Sequence, residues 1–168
     1  MADRPHEVRL ATADDAVAIG RLLHEFNIEF GEPTPGPVAL ATRIVELLAG
    51  GDTSVVSGGG RPDGLAVLRF RLSIWDPALE CYVAELYVVP DRRGRGLGRA
   101  LMLAAMEHAL ERGADYMDLA TGEDDLAARA LYESLGFDNR AGRSNGPVHY
   151  YYERSLTPVS DASGTMGA

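Results

Sequence analysis

Lysine is missing from this chain altogether, so its 16 Lys/Arg positions are all arginine. That absence excludes the phosphate loop ending in Gly-Lys-Ser/Thr, in which the ammonium reaches the outer phosphates. A single cysteine, Cys81, permits no internal disulfide. Charged residues and glycines interrupt every apolar stretch before it reaches the roughly eighteen residues needed to cross a bilayer. Met1-Ala-Asp-Arg-Pro lacks the apolar run of a signal peptide. A cytoplasmic location without a membrane partner is therefore expected. No metal-ligand spacing of His, Cys, Asp and Glu occurs, so no metal is expected, and no internal repeat is present.

Positive charge is also scarce. The formal net charge is −9, and a nucleic-acid partner is not expected, because phosphate backbones need clustered cations. The one dense basic cluster, Arg92 to Arg99, suits a small anion better. The acidic remainder either steers cationic substrates towards the protein or keeps it soluble.

A length of 168 residues suits one domain, expected over residues 1–156, with a tail at 157–168 that has neither periodicity nor bulk. Residues 6–11 alternate as a short strand. Thr12-Ala13-Asp14-Asp15 then forms a capping box for a helix to Phe30, with Ile19, Leu22, Leu23, Phe26 and Phe30 on one stripe. His24, Glu25, Asn27 and Glu29 on that helix read as a solvated polar face. Prolines break the chain at 31–37, and a second helix is predicted over 38–48. Strands at 53–57, 64–73 and 80–89, joined by turn-forming segments, predict an antiparallel meander. A long helix over 96–112 and a strand at 116–121 give strand-helix-strand connectivity, hence a parallel pair. A helix over 126–135 and strands at 137–140 and 148–154 complete the expected order.

Between the third meander strand and the long helix lies Val88-Val89-Pro90-Asp91-Arg92-Arg93-Gly94-Arg95-Gly96-Leu97-Gly98-Arg99. Alternate glycines let the backbone come close to a ligand, and the helix start adds aligned N–H donors and a positive dipole end. This predicts a phosphate or pyrophosphate site; a tight turn is the alternative. The spacing is not the G-x-G-x-x-G of dinucleotide folds. Arg93-x-x-Gly96-x-Gly98, with Leu131-Tyr132-Glu133-Ser134-Leu135-Gly136-Phe137 downstream, resembles the GNAT superfamily of acyl-CoA-dependent N-acetyltransferases over residues 6–155. The resemblance implies an α/β GNAT fold: a mixed, mostly antiparallel sheet flanked by helices and splayed at a parallel strand pair. It also implies acetyl-CoA as donor, bound by the backbone of Leu86, Tyr87 and Val88 and by the loop residues Arg93, Gly94, Arg95, Gly96, Leu97, Gly98 and Arg99. Asp125 stands where the family often has an asparagine that contacts CoA.

Tyr132 matches the family's acid tyrosine. A phenol of pKa about 10 can protonate a thiolate whose acid has a pKa of about 8.5; packing against CoA is the alternative. The acceptor ammonium, with a pKa of about 10.4, must lose a proton first. Glu85, embedded in an apolar strand and on the same face as Tyr87, is the leading base. A structural role, an electrostatic hold on the amine, and a base from Glu123, Asp124 or water stay open. His108 and Cys81 read as core residues, and His149 lies nearer the expected substrate side. The expected activity is direct acetyl transfer to a small-molecule primary amine such as a polyamine, an aminoglycoside or an amino acid. A protein or peptide amine and a non-catalytic acyl-CoA-binding module are the alternatives. Dimers are common in the family, so a homodimer is an open expectation.

Overall fold

The computed structural model describes residues 7–59 and 61–156. Five strands form one sheet in the order β1-β2-β3-β4-β5. They are β1 (Val8–Leu10), β2 (Thr53–Gly58), β3 (Gly64–Leu72), β4 (Leu79–Val88) and β5 (Ala114–Leu119). Neighbours up to β4 are antiparallel, and β4 pairs with β5 in parallel, as the connectivity through the long helix requires. The proposed tail and His6 lie outside the described residues.

Helices α1 (Ala16–Phe30) and α2 (Pro37–Ala49) cover one face of the sheet, and α3 (Leu97–Glu111) covers the other. Ile19, Leu22, Val55, Leu65, Val67 and Tyr87 build the α1–α2 cluster. Val56, Leu68, Cys81, Val83, Leu101 and Met102 belong to the α3 cluster. Period-2 alternation of β2 and β3 supplies both, since both faces of these central strands are covered over residues 55–58 and 64–68. The capping box forms, with the Thr12 N–H donating to Asp15 Oδ2 at 2.8 Å. Gly20 permits close helix packing: a Cβ there would sit 2.4 Å from the Pro37 carbonyl oxygen. Phe30, the last residue of α1, departs from the expected buried stripe: it is 56% exposed and its ring lies 5.0 Å from that of Phe26.

Beyond α4 (Leu126–Ser134) the two expected strands do not form. Turn chemistry wins over alternation at 137–140: the Asp138 carboxylate accepts the N–H groups of Arg140 and Gly142, so the chain coils back on itself. The His149 N–H donates to the Asn139 carbonyl at 2.8 Å and so joins the two stretches, and Tyr150, Tyr151 and Tyr152 are exposed.

Strand β4 carries the feature that positions the site. Its register with β3 pairs Val83 with Leu68 and Glu85 with Val67, leaving Ala84 unpaired in a β-bulge. A bulge bends its strand and breaks the ladder locally. Pairing with β5 stops at Val83 opposite Leu119, so residues 84–88 of β4 continue without a neighbour on that side.

Candidate active site

The backbone of β4 beyond the bulge sets out its groups in a fixed alternation. The Val89 N–H donates to the Asp63 carbonyl at 2.9 Å on the β3 side, so the N–H and C=O of Val88 and Leu86 turn to the open side. Those of Tyr87 turn to β3, which corrects the expectation that all three residues offer backbone bonds to a ligand there.

A short 3₁₀ turn at Pro90–Arg92 leads into the glycine loop. Gly96 caps α3 with φ +87°, and Gly94 has φ +70°, a region closed to most side chains. The N–H groups of Gly94, Gly96, Leu97, Gly98 and Arg99 find no acceptor among the described residues. They sit at the positive end of a 15-residue helix, an arrangement that favours an anion. Arg99 braces the loop by donating to Ser134 Oγ at 2.9 Å.

Arg93 behaves differently from the expectation that it faces a phosphate. Its Nε donates to the Val88 carbonyl at 2.8 Å, and its two terminal nitrogens donate to the two carboxylate oxygens of Glu29, each at 2.7 Å. The guanidinium carbon lies 5.6 Å from the Tyr87 ring centre, and the Tyr87 hydroxyl donates to Glu29 Oε2 at 3.2 Å. The Arg93 N–H donates to the Pro90 carbonyl, so the backbone of this residue is engaged as well. Hydrogen bonding to Arg93 holds the Glu29 carboxyl below its ordinary pKa. Glu29 is therefore no member of a solvated face, contrary to the sequence expectation. No local pattern links positions 29 and 93; only the fold brings them together.

Asp125 also has a local duty. It is the N-cap of α4, with Oδ1 accepting the Ala128 N–H at 3.0 Å, which explains an acidic residue there without a ligand.

Glu85 lies on β4 just beyond the bulge, and Tyr132 packs in the α3-side cluster, where the Glu85 charge acts on its phenol. Glu85 faces α1 with Tyr87, because its register partner Val67 belongs to the α1–α2 cluster; the bulge places Ala84 and Glu85 consecutively on that side. Burial raises the Glu85 pKa above its ordinary value. Tyr132 is 8% exposed, packs edge-on against Phe137 at 6.1 Å, and is pushed up to about 12 by burial and then by the charges of Asp125 and Glu85. Neither Glu85 nor Tyr132 has a side-chain hydrogen bond among the described residues. An open groove of about 390 Å³ lies between the end of α1 and Tyr87, lined by His24, Glu25, Ile28, Glu29, Tyr87 and Pro90 and by neither Glu85 nor Tyr132.

The other weighed residues lie apart. His108 contacts Ser54 Oγ at 2.9 Å on the α3 face, and burial raises the Cys81 thiol to about 11, leaving it a protonated core residue. Among the described residues no group of three His, Cys, Asp or Glu side chains is placed to hold a metal, and no helix is long and apolar enough to cross a membrane.

A mixed sheet that opens at its parallel pair beside a donor-rich helix start defines an α/β protein of one mixed sheet flanked by helices. The chain belongs to the acetyltransferase (GNAT) family, whose model matches residues 25–137. It is 44% identical over 129 residues, 77% of this chain, to the mycothiol acetyltransferase of Clavibacter sepedonicus, covering 40% of that protein. The mycothiol acetyltransferase of Thermobispora bispora is 52% identical over 58 residues, 33% of this chain and 20% of its own length. The chain thus spans less than half the length of these curated relatives. Among solved structures, an acetyltransferase-family chain from Arthrobacter sp. FB24 superposes with a TM-score of 0.80 at 41% identity, covering 92% of this chain and 98% of that one.

Proposed function

We propose that this chain moves an acetyl group from acetyl-CoA directly to the primary amine of a small molecule. The observation that carries the reading is the run of N–H groups without acceptors among the described residues at the start of α3, which follows the strand that bears Glu85. The loop donors from Gly94 to Arg99 would hold the pyrophosphate, and the backbone of Leu86 and Val88 the pantetheine arm. The donor supplies a thioester carbonyl. Glu85, with its pKa raised by burial, takes the ammonium proton directly or through water; the amine nitrogen bonds to the carbonyl carbon, and the C–S bond breaks. Burial pushes the Tyr132 pKa up to about 12, so it is protonated at neutral pH; it gives its proton to the departing thiolate and is reprotonated by the one the attacking nitrogen loses as the amide forms.

A release assay for CoA thiol with polyamines, aminoglycosides, amino acids, peptides and the amine that acetylation would convert into mycothiol tests this reading. At least one small amine should turn over. Turnover of peptides alone would favour a protein or peptide acceptor. Acetyl-CoA binding with no turnover of any amine would favour a non-catalytic acyl-CoA-binding module. The relatives named as mycothiol acetyltransferases put that amine in the panel.

Tyr132→Phe should lower kcat by about tenfold to a hundredfold while the acetyl-CoA Kd stays within about twofold, the pattern of a lost proton donor. Equal losses in Kd and kcat would make Tyr132 a packing residue instead.

A further inference from the structure

We propose that Glu29 is a positioning residue that links the end of α1 to the glycine loop. The inference rests on the acetyltransferase reading above and extends it to a residue outside both sequence motifs.

Glu29 is on the last turn of α1, where it lines the groove with Tyr87. All of its contacts lead to β4 and the loop: both carboxylate oxygens take the Arg93 fork, and Oε2 takes the Tyr87 hydroxyl as well. Arg93 in turn fastens the Val88 carbonyl through Nε, on the open side of β4 and six residues before Gly94, the first of the loop's unsatisfied donors. One bidentate pair thus ties three elements: the end of α1, the open edge of β4 and the entrance to the glycine loop. Its planar geometry matters, because a fork on a carboxylate fixes orientation as well as distance. The Arg93 side chain is 43% exposed and that of Glu29 29%, so the pair adds little to global stability. Its effect is local: while it holds, Arg93 cannot swing and the Val88–Gly94 turn keeps one conformation. Phe26 packs edge-on against Tyr87 at 5.5 Å and supports the same junction from α1.

Loss of the carboxylate charge therefore loosens both sides of the site. Titration calorimetry with acetyl-CoA on the full chain reads the donor side. Glu29→Gln is expected to raise the Kd by about fivefold, Arg93→Met by a similar factor, and the double variant by no more than either alone, since the residues act as one unit. With an amine identified by the panel, Glu29→Gln should raise the acceptor KM by about fivefold and leave kcat within about twofold, a split that general loss of structure would not produce. Thermal melts of the three variants should lie close to wild type. A Kd within twofold of wild type for Glu29→Gln, or additive losses in the double variant, would overturn the proposal. A tighter Kd would overturn it too, by showing that Glu29 restrains Arg93 from the pyrophosphate. If the wild-type chain itself does not bind acetyl-CoA, the acetyltransferase reading fails instead.

Discussion

Replacing Glu85 with glutamine is expected to lower kcat/KM for the accepted amine by about a hundredfold or more, the lower end of what a positioned general base supplies. The pH profile gives the sharper reading. A base works in its ionised form, so the wild-type rate should rise with pH as Glu85 loses its proton, over a range that burial places above the ordinary carboxylate value. The variant should lack that limb and follow only the deprotonation of the free amine, near about pH 10.4. Stability should move the other way. A folded pKa above the unfolded one means the group favours folding below the unfolded value and loses that contribution as pH rises through the folded value. Glutamine carries no such loss, so Glu85→Gln should melt higher than wild type at pH 8 and gain nothing at pH 4. Lower activity in a more stable protein cannot be put down to misfolding. Superimposable pH profiles for the two proteins would remove Glu85 as the base.

The second large effect concerns the loop. Gly96→Asp is expected to weaken acetyl-CoA binding by more than about a hundredfold, because it combines a strained left-handed backbone with a negative charge among donors that await an anion. Gly96 has φ +87° and caps α3. Gly96→Ala separates the two causes: it keeps the strain and omits the charge, so its loss should be clearly smaller. Calorimetry reads both, with circular dichroism to show that α3 persists. An affinity for acetyl-CoA in Gly96→Asp within threefold of wild type would disprove a pyrophosphate site here.

Much of the fold could be read from the chain because its signals are local. Thr12 and Asp15, the glycines that end the helices, and the alternation of β2 and β3 each act within a few residues, and every element up to α4 formed within a residue or two of its expected bounds. The parallel pair followed from connectivity alone. The failures were also physical. At 137–140 the alternation was outweighed by Asp138, whose side chain accepts backbone N–H groups and closes a turn. In the site, motif spacing made the glycine loop and Tyr132 candidates, and an apolar strand setting made Glu85 one. It could not show that Arg93 turns to Glu29, 64 positions earlier, or that Asp125 caps a helix. Such partners are chosen by tertiary proximity, which leaves no periodic trace in a single chain.

The unpaired Ala84 bears on how this site tolerates change. Glu85 and Tyr87 would keep their face if that residue were removed, since the strand on either side of it already alternates in step with β3. What would alter is the bend, and with it the point where β5 parts from β4. The slot between them is thus encoded in the number of residues rather than in their identity: exchanging Ala84 for another small residue leaves the message intact, whereas deleting it rewrites the message without touching any group that contacts a ligand.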